Sequence, residues 1–168
     1  VAPSFSFNVF DKSAFPRLYK IEPIEDKRDL TISWMLDPIY AEFKSRPTAL
    51  LSYCIGHEST GSILAYLKDV KGFATGLCAG LSYNKPEFAV FECTVNLTIK
   101  GLQQWQEVVH IIYEYIAKLK ALSDEQWKMY FDERRKVDTM RFHFKGKEHP
   151  YDYVESLSRA LHKYGEQK

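Results

Sequence analysis

Six apolar residues, Leu102, Trp105, Val109, Ile112, Ile116 and Leu119, recur at alternating intervals of three and four. That is the period of an amphipathic helix with one continuous apolar stripe, and such a stripe needs a surface to lie on. A second period, upstream, supplies the surface. Leu30, Ile32, Trp34 and Leu36 alternate with Thr31, Ser33 and Met35, and Pro38 ends the run. Ala89, Phe91, Cys93, Val95 and Leu97 share one face of the stretch from Glu87 to Leu97. Both read as half-buried strands. Phe73 to Ala79 is a shorter strand rich in small residues, and Asn84, Lys85 and Pro86 mark a hairpin turn between it and the next.

Shorter helical patterns fill the rest. Pro47 suits a first helical turn, and Leu50, Leu51, Cys54 and Ile55 form a stripe that stops near Gly56. Ile63, Leu64 and Leu67 form another, with Ser59 or Thr60 as its expected N-cap and Gly72 as its stop. Ser123 and Gln126 form a capping box ahead of a helix carrying Trp127, Tyr130, Phe131 and Val137. A last helix starts near Pro150, carries Val154, Leu157, Leu161 and Tyr164, and stops at Gly165. Phe142 and Phe144 are expected to make core contacts at a helix exit, and Glu133-Arg134-Arg135-Lys136 to be a solvated face. The order strand, helix pair, hairpin, three helices implies an α+β fold: a mainly antiparallel sheet covered by helices on one face. Residues 1–168 read as a single domain, with 1–17 as an extended arm.

A chain of 168 residues buries about 70% of the surface its unfolded form exposes, so it needs no metal or disulfide to fold. Lys and Arg total 23 against 22 Asp and Glu, a balance that argues against a nucleic-acid partner held by a basic field. No apolar run approaches the roughly 20 residues of a membrane span. Cys54, Cys78 and Cys93 lie far apart without a Cys-x-x-Cys spacing. They read as reduced, mostly buried thiols of a cytoplasmic protein. The start at Val1 rather than Met suggests a piece of something longer.

The residues that could carry chemistry do not assemble into a catalytic motif. His57-Glu58 is followed by Gly61 where a helical zinc site needs a second His, and Glu148-His149 is preceded by Lys145 where the inverted motif needs one. No metal is expected on this chain, and no nucleophile elbow or phosphate loop is present. The most informative stretch is Ile55-Gly56-His57-Glu58-Ser59-Thr60-Gly61-Ser62. One reading is a glycine-hinged turn between two helices. In the other, Glu58 on that turn, beside the edge of the strand Phe73 to Ala79, holds the amino terminus of an extended peptide. The strand edge then pairs with the peptide backbone, and Gly76, Ala79 and Gly80 let it approach.

Leu18-Tyr19-Lys20-Ile21 through Pro23-Ile24, Asp26-Lys27-Arg28-Asp29-Leu30, Ile55-Gly56-His57-Glu58 with Gly61-Ser62-Ile63-Leu64, Asn96-Leu97-Thr98 with Gly101-Leu102, and Arg141-Phe142 with Phe144-Lys145, Lys147-Glu148 and Pro150 together carry a resemblance. From about residue 18 to 164 the chain resembles the second domain of insulysin/pitrilysin-type zinc metallopeptidases. The resemblance implies a parent zinc metalloendopeptidase of four homologous α+β domains that close around a chamber. The zinc motif lies in the first of these, so zinc belongs to the parent and no cofactor to this chain. It implies peptide substrates and the other domains of the same polypeptide as partners, with no membrane or nucleic acid. It also implies an exosite for the substrate's N-terminal residues. Matched by motif position, Gly56 and Glu58 fall on the exosite turn, and Leu77 and Ala79 on its strand. Ala79 stands for a Gly, Leu81 for a Gln, Ser52 for a Gly, and Ala49 and Tyr53 for two histidines. The alternative is a non-catalytic structural module of a protease-like scaffold.

Overall fold

The computed structural model describes residues 10, 11, 13 and 15–164. The expected arm falls largely outside the described residues, as does Gly165. The chain divides into two compact units, Val1–Phe131 and Asp132–Lys168.

The first unit is built on a three-stranded antiparallel sheet of order β1-β3-β2, formed by β1 (Asp29–Leu36), β2 (Ala74–Asn84) and β3 (Ala89–Leu97). The last strand in sequence therefore lies in the middle. β2 and β3 form the expected hairpin, closed by the Lys85 N–H donating to the Phe88 carbonyl at 2.8 Å. β2 runs five residues past the expected end at Ala79, because a register shift between Leu81 and Tyr83 breaks the alternation that would have marked it.

Alternation divides the sheet into two unlike faces. Phe91, Cys93, Val95 and Leu97 are buried on one, and Trp34 of β1 packs there edge-on against Tyr113, ring centroids 6.1 Å apart. The other is polar, and its cross-strand pairs follow the register. Thr31 and Thr94 hydroxyls lie 3.0 Å apart, Ser33 donates to Glu92 at 3.0 Å, and Asn96 donates to Asp29 at 2.8 Å. The Asn96 hydrogen bond is the main reason the Asp29 carboxyl is held below its usual range.

The helices on the apolar face are α1 (Pro47–Ile55), α2 (Ile63–Ala65, continuing as a π-helical turn Tyr66–Val70), α3 (Ile99–Gln103) and α4 (Trp105–Lys120). One cluster joins Cys54 and Ile55 of α1, Ile63, Leu64 and Leu67, the strand residues above, and Val108, Ile111, Ile112 and Leu119 of α4. The N-cap of α2 is Ser62 rather than Ser59 or Thr60, its hydroxyl accepting from Ala65 N–H at 3.1 Å. Gly72 ends the π-helical turn at a positive φ of 66°, as a helix stop should. The long expected helix is two: Gln104, at φ −112° and ψ 30°, separates α3 from α4. The break shifts the buried stripe to Val108, Ile111, Ile112 and Leu119, and leaves Leu102 exposed.

α5 (Asp124–His143) opens on the expected capping box. Gln126 Oε1 accepts from Ser123 N–H at 2.9 Å, and the Ser123 hydroxyl accepts from Gln126 N–H at 3.4 Å. The same hydroxyl is the main cause of a lowered Glu125 carboxyl pKa. Ser123→Ala should cost about 1 kcal/mol, read as a fall in the midpoint of denaturant unfolding at constant slope.

In the second unit α6 (Pro150–Tyr164) starts where expected. The basic run is solvated and laced by ion pairs, Arg134 with Asp138 at 2.8 Å and Arg135 with Asp132 at 3.7 Å. Phe142 and Phe144 are exposed, at 78% and 82%, not core contacts. They sit at the end of α5 and beyond it, where the helix runs out and, among the described residues of the same unit, no element covers them.

Candidate functional site

The loop from Gly56 to Gly61 is fixed at both ends by burial. Cys54 and Ile55 precede it and Ser62, Ile63 and Leu64 follow it, all within the core boundary. The Gly56 N–H closes α1 by donating to the Ser52 carbonyl at 2.9 Å. Tyr115 of α4 donates its hydroxyl proton to the Cys54 carbonyl at 3.0 Å, tying the end of α1 to the helix behind the sheet. Burial is the main cause of a raised Tyr115 pKa, so the hydroxyl stays a donor.

β2 is an edge strand: within the described residues it pairs with β3 alone. The end of α1 meets this strand at Ala79 and Gly80. A Cβ placed on Gly56 would sit 3.9 Å from the Ala79 backbone nitrogen, and one on Gly80 would sit 3.7 Å from the Ser52 hydroxyl. The structure thus brings Gly56 and Ala79 together. Leu77 lies two residues back on the same strand and is buried, at 6% exposure. Residues two apart on a strand turn their backbone groups to the same side. Glu58 is exposed, and among the described residues its carboxylate has no hydrogen bond or ion pair.

Sequence reasoning missed what holds this loop. The His57 imidazole stacks on Tyr53, ring centroids 5.3 Å apart and planes at 27°. Its Nε2 lies 3.1 Å from the Ser59 hydroxyl. The four-residue spacing of Tyr53 and His57 across a helix end was the available signal. Among the described residues no carboxylate is hydrogen-bonded to the ring, so the pair lacks the third member of a serine–histidine–carboxylate triad.

Cys54 and Cys93 are buried and Cys78 is exposed, one thiol more open than expected. Burial, with the neighbouring Cys78 as a lesser cause, pushes the Cys93 thiol up to about 12. Among the described residues no three His, Cys, Asp or Glu side chains gather as metal ligands. The donors among the described residues do not fit a zinc ion. No helix among the described residues is long and apolar enough to cross a membrane.

Residues 7–130 match the family described as the peptidase M16 inactive domain. The chain belongs to the peptidase M16 family. It is similar to nardilysin from Rattus norvegicus, 33% identical over 98% of this chain and 14% of that protein. It is similar to insulin-degrading enzyme from Drosophila melanogaster, 36% identical over 90% of this chain and 15% of that protein. Among solved structures, pitrilysin matches 80% of this chain and 14% of its own with a TM-score of 0.72 and 28% identity. The M16 chain therefore spans about a seventh of the length of the relatives it matches. These are the insulysin/pitrilysin zinc metallopeptidases that the sequence resembles, and the mixed α+β fold agrees with the pitrilysin likeness.

Proposed function

We propose that this chain is the non-catalytic second domain of a zinc metalloendopeptidase and anchors the N-terminal end of a peptide substrate at an exosite. The observation that carries the reading is the meeting of an edge strand with an acidic turn. β2 has one side unpaired within the described residues, and the Gly56 turn lies against its Ala79 nitrogen. The peptide would add a strand to β2 through the backbone of Leu77 and Ala79, and its ammonium group would meet Glu58. Bond breaking falls to another domain of the same polypeptide, where the parent's zinc would be held. Anchoring aids that step by orientation, since a peptide fixed at one end samples fewer poses at the other.

Glu58→Gln in the full-length protein should weaken binding of a free-amine peptide about tenfold, because a charge-assisted contact becomes a neutral one. The N-acetylated form of the same peptide should bind the variant and the wild type alike. Equal losses for both peptides would remove the assigned role of Glu58.

A further inference from the structure

Glu58 occupies the middle of a short loop tied on both flanks. On one flank His57 stacks against Tyr53 in the last turn of α1. On the other, the Ser59 hydroxyl meets the same imidazole at Nε2, 3.1 Å away. Ser59 is itself anchored forward: its carbonyl accepts from the N–H of Ser62, the cap of α2, at 3.0 Å. The imidazole is therefore a strut from α1 to the start of α2, and Glu58 lies between its two ends. An exposed carboxylate on an untethered loop would lose backbone and side-chain freedom when it met a ligand. A loop already closed by the strut has given up much of that freedom beforehand.

We infer that His57, held by Tyr53 and Ser59, is a positioning residue that presents the Glu58 carboxylate to the peptide amine. The inference rests on the exosite reading above and adds what sets its strength. The strut is built from three side chains, Tyr53, His57 and Ser59, that lie within seven residues of one another in sequence and flank Glu58.

The test uses the full-length protein and a short peptide carrying fluorescein at its C-terminus, with its amine either free or acetylated. Fluorescence anisotropy gives a Kd for each, and their ratio is the amine preference. Ser59→Ala should reduce the preference about fivefold while leaving the Kd of the acetylated peptide unchanged. Ser59→Thr, which keeps a hydroxyl, should restore it. His57→Phe, which keeps a ring to stack on Tyr53 but has no Nε2, should behave as Ser59→Ala does. Adding Ser59→Ala to Glu58→Gln should change nothing further, because the strut acts through that carboxylate. A wild-type preference in Ser59→Ala and His57→Phe, alongside a lost preference in Glu58→Gln, overturns the strut and leaves the exosite standing. Equal weakening of both peptides by Ser59→Ala also overturns it. A wild-type preference in Glu58→Gln overturns the exosite reading, and the strut with it.

Discussion

Gly101→Ala should destabilise the chain by about 4 kcal/mol or more, in the range reserved for a backbone forced out of place. The added Cβ would lie 1.9 Å from the Phe73 carbonyl oxygen, 2.8 Å from its carbon and 3.1 Å from its Cα. None of these atoms belongs to a movable side chain. Nor is Phe73 free to withdraw. Its carbonyl accepts from Thr98 N–H at 2.9 Å, its own N–H donates to the Leu67 carbonyl at 2.8 Å, and its side chain is buried. Thr98 is held in turn, its hydroxyl donating to the Gly72 carbonyl at 2.8 Å and accepting from Gly101 N–H at 3.0 Å. The start of β2, the end of β3 and the first turn of α3 are thus clamped at one point. Intrinsic helix preference works the other way, since alanine is favoured over glycine by about 1 kcal/mol inside a helix. The sign of the effect therefore separates packing from propensity. Denaturant unfolding reads it, with Gly146→Ala as control, because nothing lies within 4 Å of a Cβ at that position. A Gly101→Ala variant as stable as the control would mean that the clamp yields.

The same junction shows where sequence reading stops. β1, the hairpin turn, the first residue of α1, the capping box at Ser123 and the start of α6 were all legible. Each rests on a local signal: alternation, turn chemistry, a proline, or a serine three residues ahead of a glutamine. The break at Gln104 was not, because Leu102 and Trp105 continue the spacing of the helix behind them as if it were unbroken. The burial of Gly101 against Phe73 depends on two segments almost thirty residues apart, and periodicity carries no information at that range. The site divides in the same way. Motif resemblance singled out Gly56, Glu58, Leu77 and Ala79. That β2 is an edge among the described residues follows from β3 taking the middle place, a choice of strand order that no local pattern encodes. The stack of Tyr53 on His57 needed the geometry of a helix end.

Ile112→Ala tests whether the core holds the candidate site as well as the fold. Ile112 is fully buried in α4, among the largest side chains with no exposure. Removing its outer carbons should cost about 3–4 kcal/mol, part from lost transfer energy and part from a cavity the packed sheet cannot collapse into. Leu102→Ala shares the apparent stripe in sequence but is 48% exposed. It should cost about 1 kcal/mol, since about half of that side chain is already in water. A uniform helix through Gln104 would instead make the two losses similar, so the pair of unfolding midpoints decides where the stripe lies. The consequence reaches the loop because α4 carries Tyr115, whose hydroxyl holds the Cys54 carbonyl two residues before Gly56. A cavity at Ile112 lets α4 shift against the sheet. The end of α1 is tied to α4 through that hydrogen bond and to Ala79 through close contact, so a shift must loosen one of the two. Hydrogen exchange should therefore rise in Ile112→Ala at the Gly56 amide, whose partner is the Ser52 carbonyl, ahead of the β3 amides at the centre of the sheet. Simultaneous exchange at both places would mean that the loop opens only when the whole unit unfolds.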